Sequence, residues 1–580
     1  MNKFFTLLFL FFLLSLTANT QSYHDGKIIF KIKREFTDKI QEANNNYIQE
    51  LNLILRNHKI SKLLSEQIIK GLNNKSNNNE KLLSIKNYGL ERIFLIDIDK
   101  NYNPVFISRK LQTFSFIEYA EPLYKREISD LIIPNDSLFF TQYVFKSASI
   151  LESWKNVDTT NRKVVIGIVD TGVDYLHEDL KDNIYHNPGE MGLDNQGNDR
   201  SQNGIDDDDN GFVDDWRGWD FGSSSFETGM DNDPYPGNGH GTHVAGIIGA
   251  TANNEIGIAG IGLNTKILPV KIGQDDPNSR GLIKSYEGLL YAAIAGSDII
   301  NCSWGGGGFS QSEQDIINTA LELGSVVVAA AGNNYSNEAF FPASYKGVLS
   351  VAAIDSMDFK AGFSNYHSTV GISAPGVNIM SSTPANNYDS WSGTSMASPV
   401  VAAVAGMVKL NHPEYISIQV NEHLKATSDN IAIRNPNFSG MIGSGKVNAN
   451  AATTVKEPVS LLLSNYKISK ETDDDVIRSG DKVYLEIEIF NALKNADKVN
   501  IYAESLTQFA PEFVVDSLYA GDINTLELKQ VNGRFEFILQ DNMPLNFNLP
   551  IRLNIIDNEQ NRFIFSISIF VNPTWRTMKK

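Results

Sequence analysis

The spacing of apolar residues changes character three times along this chain. Between residues 141 and 452, short β-rich runs alternate with helical runs rich in alanine and glycine. This alternation favours a parallel, doubly wound α/β sheet with helices on its faces. The expected strands cover residues 164–169, 266–272, 298–303, 325–330 and 348–352.

The pattern after residue 457 has period two instead. Two runs place apolar side chains at every second position, at Val483, Leu485, Ile487 and Ile489, and at Phe563, Phe565, Ile567 and Ile569. Strict alternation is typical of strands with one buried face, so residues 457–580 are expected to form an all-β, immunoglobulin-like antiparallel sandwich.

Residues 22–130 are predicted to form a small α+β unit. Strands are expected at 27–33, 92–97 and 115–120, and helices at 37–72 and 105–111, with an asparagine-rich loop at 73–79. Residues 121–140 then read as an exposed connector.

The first residues have the composition of an export signal. A single lysine, Lys3, precedes thirteen mostly large apolar residues and then a run of small and polar residues. The apolar run is shorter than the roughly 20 residues that span a bilayer, so residues 1–20 are interpreted as a cleaved signal peptide rather than a membrane anchor. The expected location is extracellular, at the cell surface or periplasmic, without a stable transmembrane anchor.

Cysteine count and charge exclude several classes of function. With Cys302 as its only cysteine, the chain has no intramolecular disulfide and no cysteine-clustered zinc or iron–sulfur site. The net charge of −18 argues against nucleic acid as a partner.

The charge is distributed unevenly. Residues 22–130 carry 18 basic and 14 acidic side chains (net +4), whereas residues 131–580 carry 31 and 54 (net −23). Residues 194–233 alone hold 12 acidic and 2 basic side chains, net −10. Such a block favours a bound cation nearby.

Four short motifs carry candidate chemistry. Asp170 ends the first predicted strand of the parallel sheet, where functional carboxylates commonly lie. His240 opens the run HGTHVAG; with His243 it could also be a metal-ligand pair, but the glutamate of the usual zinc-protease motif is missing. Taken singly, a helix cap for Asp170 and surface positions for the histidines are equally reasonable.

The other two motifs contain Ser395 and Asn333. Ser395 lies at the start of a hydrophobic helical run, where backbone N–H groups and the helix dipole favour developing negative charge. Asn333 follows a predicted strand and can donate from its side-chain amide. A capping serine and a loop asparagine are the simpler alternatives for each residue alone.

Together, the blocks VDTGVD, HGTHVAG, AAGN and GTSMASP, in this order, resemble the subtilase family of serine endopeptidases over about residues 141–452. The resemblance implies a subtilisin-like fold at residues 135–453, with Ser395 as nucleophile, His240 as general base and Asp170 as its partner. It implies that Asn333 and the Ser395 backbone N–H bind the oxyanion of the tetrahedral intermediate, and that His243 has no catalytic role. No catalytic metal is implied.

The resemblance also implies how a protein or peptide substrate binds. The substrate is expected to lie extended, with Ser303, Trp304 and Gly305 forming one edge, and with Ala330, Ala331 and Gly332 lining the first pocket. Trp304 is expected to narrow or cap a neighbouring apolar pocket.

Calcium is the expected structural cofactor. By resemblance, Asp179, Asn254 and Gln142 supply side-chain ligands of one site. A second candidate is the acidic block, where Asp206, Asp208 and Asn210 match an EF-hand loop whose twelfth position is Arg217 rather than glutamate. Asp215 or Asp220 is the candidate to complete that ligand set. A solvated acidic insertion without an ion is the alternative there.

Residues 22–130 resemble the family's inhibitory propeptide, so the chain is expected to process itself between residues 122 and 136 and to have this segment as an intramolecular inhibitor. The leading hypothesis is a secreted serine endopeptidase. The alternative is a catalytically silent binding or adhesive surface protein in which residues 457–580 carry the function.

Overall fold

The fold is described from a computed structural model of the chain. The structure describes residues 23–36, 59–70, 89–99, 102–124, 133–160, 162–222, 229–276, 279, 281–472 and 474–574. The predicted signal peptide, the loop at 73–79 and most of the predicted helix at 37–72 lie outside these ranges. The chain divides into two compact units, residues 1–130 and 131–580.

The first unit is an antiparallel four-stranded sheet in the order β2-β3-β1-β4. Its elements are β1 (Tyr23–Ile32), β2 (Lys59–Lys62), β3 (Ile93–Asp97), β4 (Ile117–Tyr124) and helix α1 (Pro104–Leu111). Apolar residues on one face of β1, among them Ile28 and Phe30, pack with Leu111 of α1. The helix prediction is wrong at Lys59–Lys62, because this segment hydrogen-bonds to β3 as an edge strand.

A seven-stranded, all-parallel sheet forms the centre of the second unit, in the order β11-β10-β9-β8-β5-β7-β6. The five predicted strands are present within one or two residues. The strands are β5 (Val164–Asp170), β6 (Trp219–Asp220), β7 (Thr265–Lys271), β8 (Ile299–Cys302), β9 (Val326–Ala330), β10 (Leu349–Ile354) and β11 (Val370–Pro375).

Helices cover both faces of this sheet, which confirms the doubly wound prediction. They are α2 (Val144–Ser147), α3 (Ile150–Ser153), α4 (His240–Gly249), α5 (Ser285–Ile294), α6 (Gln311–Glu322), α7 (Thr394–Asn411), α8 (Ser417–Ala426) and α9 (Ala449–Thr454). Two separate apolar cores result, one including α4 and α7 and the other including α5 and α6.

Helix α7 runs through the larger core and is buried along almost its whole length. A side chain at Gly406 would lie 3.3 Å from Ile166 and Val164 of β5, so the small residue lets helix and strand pack closely. The antiparallel hairpin β12 (Ile379–Thr383) and β13 (Asn387–Trp391) directly precedes α7 and leads the chain into its first turn.

The C-terminal strands form two antiparallel sheets around one core, as the period-two pattern predicts. One sheet has the order β14-β15-β20-β17, with β19 also paired to β15, and the other has the order β18-β16-β21-β22. The strands are β14 (Leu461–Lys470), β15 (Lys482–Asn491), β16 (Ala496–Glu504), β17 (Glu512–Val515), β18 (Ser517–Ile523), β19 (Leu528–Gln530), β20 (Phe535–Ile538), β21 (Phe547–Ile556) and β22 (Arg562–Val571).

The alternating residues of β15 occupy this core as expected, since Val483, Leu485, Ile487 and Ile489 are each no more than 1% exposed. None of the helices in the described part of the chain combines the length and the apolar character that a membrane span requires.

Candidate active site

The parallel sheet reverses its winding between β5 and β8, which are neighbours although the chain leaves them in opposite directions across the sheet. In such sheets, ligands bind beyond the carboxyl ends of the strands at the switch point. A cleft of about 920 Å³ lies there. Its lining includes Asp170, Thr171, Asn238, His240, Ser279, Leu282, Ser303, Trp304, Asn333, Ser390, Trp391, Gly393, Ser395 and Met396.

Asp170 and His240 are hydrogen-bonded to each other at the edge of this cleft. The distance from Asp170 Oδ1 to His240 Nδ1 is 2.7 Å, and the same oxygen accepts the Thr171 N–H at 2.8 Å. The Asp170 side chain is 2% exposed and that of His240 is 31% exposed. A buried carboxylate therefore holds one ring nitrogen, while the imidazole itself stays accessible from the cleft.

The local sequence explains why His240 begins a helix at this position. The Asn238 side-chain oxygen accepts the His240 N–H at 3.0 Å, and the Thr171 hydroxyl accepts the Gly241 N–H at 3.0 Å. A side chain at Gly241 would lie 2.2 Å from the Gly172 carbonyl oxygen. The glycine thus lets the start of α4 approach the turn after β5, which brings His240 to Asp170.

Ser395 lies in the first turn of α7 and faces the same cleft. Its hydroxyl donates to the Ser303 carbonyl oxygen at 3.1 Å, and the Ser303 hydroxyl donates to the Ser395 carbonyl oxygen at 2.9 Å. The serine is thereby tied to the segment following β8. Catalytic hydrogen bonds are often looser before substrate binds, so this orientation is compatible with later engagement by the imidazole.

The Asn333 side chain is oriented by Thr394, so that its oxygen faces Thr394 and its NH2 group points away from that residue. Its Oδ1 accepts the Thr394 N–H at 2.8 Å and the Thr394 hydroxyl at 2.9 Å. A carbon built at the missing Cβ of Gly393 would lie 3.6 Å from both Asn333 Nδ2 and the Ser395 backbone nitrogen. Two donors therefore face one small space that a glycine leaves open.

His243 lies one turn along α4 from His240 in a different environment. Its ring is stacked on Trp391 with centroids 4.4 Å apart, and its Nε2 lies 3.2 Å from the Asp389 carbonyl oxygen. Burial lowers the pKa of His243 to about 4. The ring is neutral at physiological pH and packs beneath the cleft wall.

The predicted substrate-binding residues divide into two groups. Ser303 and Trp304 line the cleft, and the Trp304 indole N–H donates to the Val169 carbonyl oxygen at 2.8 Å. Ala330 and Ala331 are buried, and Gly305 packs against Phe340. Gly332 has a φ of 102° and donates its N–H to the Thr394 hydroxyl at 3.1 Å.

The residues of the first predicted calcium site come together only in part. Asn254 donates from Nδ2 to Asp179 Oδ1 at 2.8 Å, and Asp179 Oδ2 accepts the Ile258 N–H at 3.0 Å. Gln142 instead forms two hydrogen bonds with the Ala259 backbone. Asp136 lies beside this group, since it accepts the backbone N–H groups of residues 253 and 254.

The three residues of the EF-hand-like match lie in a succession of turns. Asp206 accepts the backbone N–H groups of Asn210 and Gly211, at 3.1 and 2.7 Å. Asn210 donates from its side chain to Asp215, and Asp208 lies in a group of carboxylates with Glu190 and Asp215.

Several residues that shape the site were missed by sequence reasoning. Thr394 lies inside the GTSMASP block, but its role in orienting the Asn333 side chain was not predicted. Asn301 donates a hydrogen bond to Ser303 and accepts one from Ser398. Trp391 lines the cleft from the hairpin before α7. Their local sequence signals side-chain polarity or bulk but not the contact partner, which comes from a distant segment.

The comparisons with known proteins agree with this geometry. Residues 161–445 match the model described as "Subtilase family". The chain is 35% identical over 328 residues to the thermophilic serine proteinase of Bacillus sp. (strain AK1), covering 56% of this chain and 71% of that protein. It is 40% identical over 233 residues to subtilisin BL of Lederbergia lenta, covering 40% of this chain and 83% of that protein.

A third relative is the halolysin-like extracellular serine protease Nep of Natrialba magadii, 33% identical over 341 residues, covering 58% of this chain and 56% of that protein. The matched region contains Asp170, His240, Asn333 and Ser395. From the paired aspartate and histidine, the serine on its helix and these relatives together, the chain belongs to the subtilase family of subtilisin-like serine proteases.

Proposed function

We propose that this chain is a secreted serine endopeptidase that hydrolyses proteins through an acyl-enzyme and removes its own N-terminal propeptide. The observation that carries the proposal is the 2.7 Å pair of Asp170 and His240 in the cleft that Ser395 also lines. A serine hydroxyl is a weak nucleophile at neutral pH and requires such a base.

In this proposal, the Ser395 Oγ attacks the scissile carbonyl carbon while His240 Nε2 takes the hydroxyl proton. His240 later gives that proton to the leaving amine. Asp170 accepts the His240 Nδ1–H, which fixes the tautomer and stabilises the imidazolium. Because Asp170 is 2% exposed, water does not compete for this hydrogen bond.

The tetrahedral oxyanion would be bound by the Asn333 amide and the Ser395 N–H. Support comes from the open space beside Gly393, because the position that a Cβ would take there lies 3.6 Å from both nitrogens. Thr394 orients the amide beforehand by occupying its oxygen, so the donor need not reorganise as charge develops.

The substrate class is proposed to be an extended protein segment with a broad apolar preference. The cleft has a volume of about 920 Å³, and Trp304 and Trp391 form part of its wall. The two tryptophans are supplied by different segments, one after β8 and one at the end of β13.

Export and self-processing are proposed from the sequence. The apolar start of the chain supports a signal peptide at residues 1–20, and the name of the Natrialba relative includes the word extracellular. Residues 22–130 are proposed as the propeptide, residues 135–453 as the peptidase domain and residues 457–580 as a sandwich domain. Opposite net charges, +4 and −23, favour association of the propeptide with the rest of the chain.

Structural calcium is proposed at the Asp179 loop. Asp179 is fully buried, and the nearby Asp136 carboxylate contributes to raising its pKa, after burial itself. A buried carboxylate beside a second acid and the Asn254 side-chain amide offers hard oxygen atoms of the kind that calcium prefers. Asp179 and Asn254 would hold the ion, which would cross-link two surface loops.

A fluorophosphonate probe tests the catalytic proposal. We expect stoichiometric labelling at Ser395 and hydrolysis of casein, both abolished in Ser395→Ala. Ser390→Ala is the matched control, because Ser390 is an exposed serine of the same cleft and should leave labelling intact. Ser395→Ala should also accumulate as a precursor that retains residues 22–130.

The opposite outcome would favour the alternative of a silent binding protein. A chain that folds and binds peptides but is neither labelled nor active would contradict the catalytic proposal. Normal maturation of Ser395→Ala would separately contradict self-processing.

A further inference from the structure

Three carboxylates converge in the acidic insertion between β5 and β6. Glu190, Asp208 and Asp215, here called the carboxylate cluster, each place one oxygen within 4.8 Å of the others. Glu190 ends a short 3-10 helix, whereas Asp208 and Asp215 lie in the irregular segment that follows. The chain therefore folds back on itself to bring like charges together.

Glu190 is the most unusual member of the carboxylate cluster. Its side chain is 0% exposed, and its Oε1 accepts the Asp207 N–H at 2.7 Å. Its Oε2 is buried without a hydrogen-bond partner. An unpaired buried carboxylate oxygen costs free energy unless something positive approaches it.

Asp215 and Asp208 are held in place by neutral donors. Asp215, also 0% exposed, accepts from the Tyr291 hydroxyl at 2.7 Å and from Asn187 Nδ2 at 2.8 Å. Asp208 accepts from the same Asn187 amide at 3.0 Å. The Asp208 carboxylate also packs against Gly189, because a Cβ added to this glycine would lie 2.4 Å from Asp208 Oδ2.

No positive side chain compensates this charge within the described residues. The neighbouring arginines are engaged elsewhere, Arg200 with Asp207 at 3.6 Å and Arg217 with Asp233 at 3.6 Å. Burial, followed by repulsion from Asp208 and Asp215, raises the pKa of Glu190 to about 7. Burial likewise raises the pKa of Asp215.

We propose that Glu190, Asp208 and Asp215 bind a calcium ion in the acidic insertion. Oxygens that ligate one ion at about 2.4 Å lie no more than about 4.8 Å apart, so the cluster already has a suitable spacing. The ion would neutralise the repulsion and give Glu190 Oε2 its missing partner. This inference does not depend on the catalytic proposal.

The proposed ligand set differs from the EF-hand-like one. Asp206, the first residue of that match, uses both carboxylate oxygens to accept backbone N–H groups of its own turn. Glu190 lies sixteen positions before it in the chain and belongs to no such loop. Asp208 is common to both sets, and Asp215 is one of the two residues that could complete the EF-hand-like set.

The position of the cluster indicates what the ion would do. Asp215 is bonded to Tyr291 of α5, and Asn187 donates its backbone N–H to the Trp216 carbonyl oxygen at 2.7 Å. The chain then enters β6 and the segment at Pro234 that packs on Gly172 beside Asp170. A bound ion would therefore fasten the insertion to the helix layer and stabilise the approach to the cleft.

Calcium titration of the full chain tests the proposal, with Ser395→Ala as background so that self-digestion is excluded. After chelator treatment, calcium binding is measured by isothermal titration calorimetry, and terbium luminescence is excited through tryptophan, since Trp216 adjoins Asp215. We expect Glu190→Gln to weaken one binding event by about tenfold or more, or to remove one equivalent of calcium.

Asp206→Asn is the matched control, because it removes one negative charge from the same insertion while its single side-chain oxygen can still accept one of the two backbone N–H groups. It should leave every calcium affinity within about twofold of the parent. If Glu190→Gln does not fold, Asp208→Asn, an exposed member of the cluster, replaces it with the same expectation. Any calcium bound at the Asp179 loop is common to all of these variants.

Three results would overturn the proposal. One is calcium stoichiometry and affinity unchanged by both cluster variants. Another is loss of a calcium ion in Asp206→Asn but not in the cluster variants, which would favour the EF-hand-like ligand set. The third is no calcium binding by the parent chain, with infrared spectra showing a protonated Glu190 carboxyl instead.

Discussion

Two regions beside the parallel sheet each contain a buried aspartate, and the two aspartates have different partners. At the cleft, Asp170 ends β5 and pairs with His240, whose ring is 31% exposed. At the insertion, Asp220 ends β6 and pairs with Lys271, and these two side chains are 6% and 4% exposed. Both acids stand at carboxyl ends of strands in one sheet, so strand position alone does not distinguish a reactive carboxylate from a structural one.

The difference lies in the partner and its access to substrate. His240 can exchange a proton with a molecule in the cleft while Asp170 holds its other nitrogen. Lys271 is enclosed and contacts both Asp220 and Asp275, so its charge serves the fold. A buried carboxylate hydrogen-bonded to an accessible imidazole is suited to catalysis, whereas a fully buried ion pair is suited to fixing a strand.

The largest expected effect is that of Asp170→Asn. The substitution preserves shape but favours the wrong imidazole tautomer, so kcat for peptide hydrolysis should fall by about 10⁴ with little change in the folded structure. Steady-state kinetics with a chromogenic peptide measure it. A fall in kcat of less than tenfold would contradict the proposed difference between Asp170 at the end of β5 and Asp220 at the end of β6.

The matching change on β6, Asp220→Asn, should act on stability instead. Removing one member of a buried ion pair leaves Lys271 with the exposed Asp275 carboxylate as its remaining ion-pair partner. The substitution should therefore lower the free energy of unfolding, by up to about 3–5 kcal/mol. Chemical denaturation in the Ser395→Ala background measures this loss. The kcat of the otherwise unmodified Asp220→Asn chain should stay within several-fold of the parent; a catalytic defect as large as that of Asp170→Asn would contradict the comparison.

Asn333→Ala sharpens the comparison within the cleft. Loss of a single oxyanion donor costs subtilisin about 10²–10³ in kcat, and we expect a similar drop here with KM nearly unchanged. Asn334→Ala is the control, since Asn334 is exposed and only its backbone N–H is bonded, to Asn365 at 2.9 Å. Equal effects of the two substitutions would argue against an oxyanion role for Asn333.

Acid sensitivity is the smallest expected effect of a single residue, and it tests two buried histidines that lie outside the proposed catalytic residues. Burial lowers the pKa of both His243 and His423 to about 4, from 6.5 in an unfolded chain. Between these values the unfolded state binds protons that the folded state does not, so stability falls as the pH drops from 6.5 to 4. The loss should reach about 3 kcal/mol per histidine.

Denaturation curves across this pH range measure the slope in the Ser395→Ala background. His243→Gln and His423→Gln should each flatten it, whereas His367→Gln, at a half-buried loop position, should leave it unchanged. A slope that survives both buried substitutions would assign the acid sensitivity to other groups.

Much of the fold was predictable because period and composition are local signals. The five central strands and the antiparallel C-terminal strands follow directly from apolar spacing. The segment at Lys59–Lys62 was not predictable as a strand, because its hydrogen bonds go to β3, more than thirty residues away in the chain. The short strand β6, only two residues long, carries too little pattern to be recognised.

The candidate site divides in the same way. The motifs place Asp170, His240, Asn333 and Ser395 in the chain, since each block has a distinctive local sequence. The orientation of the Asn333 amide depends on Thr394, sixty-one positions later in the chain. The position of the Ser395 hydroxyl depends on its hydrogen bond to the Ser303 carbonyl oxygen. Ala330 and Ala331 are 2% and 3% exposed, and their place in a substrate pocket stays a prediction.

The amino-acid order is sufficient to identify the parallel sheet, the antiparallel C-terminal strands, the acidic block and the family, because helical and strand periods, charge and motifs are properties of neighbouring residues. Folding in three dimensions is what pairs Asp170 with an accessible histidine and Asp220 with an enclosed lysine. It also brings Glu190 to Asp208 and Asp215, across a gap of eighteen residues or more. Contacts between distant segments set burial and charge compensation, and these determine whether a carboxylate is suited to catalysis, supports a strand or can hold a cation.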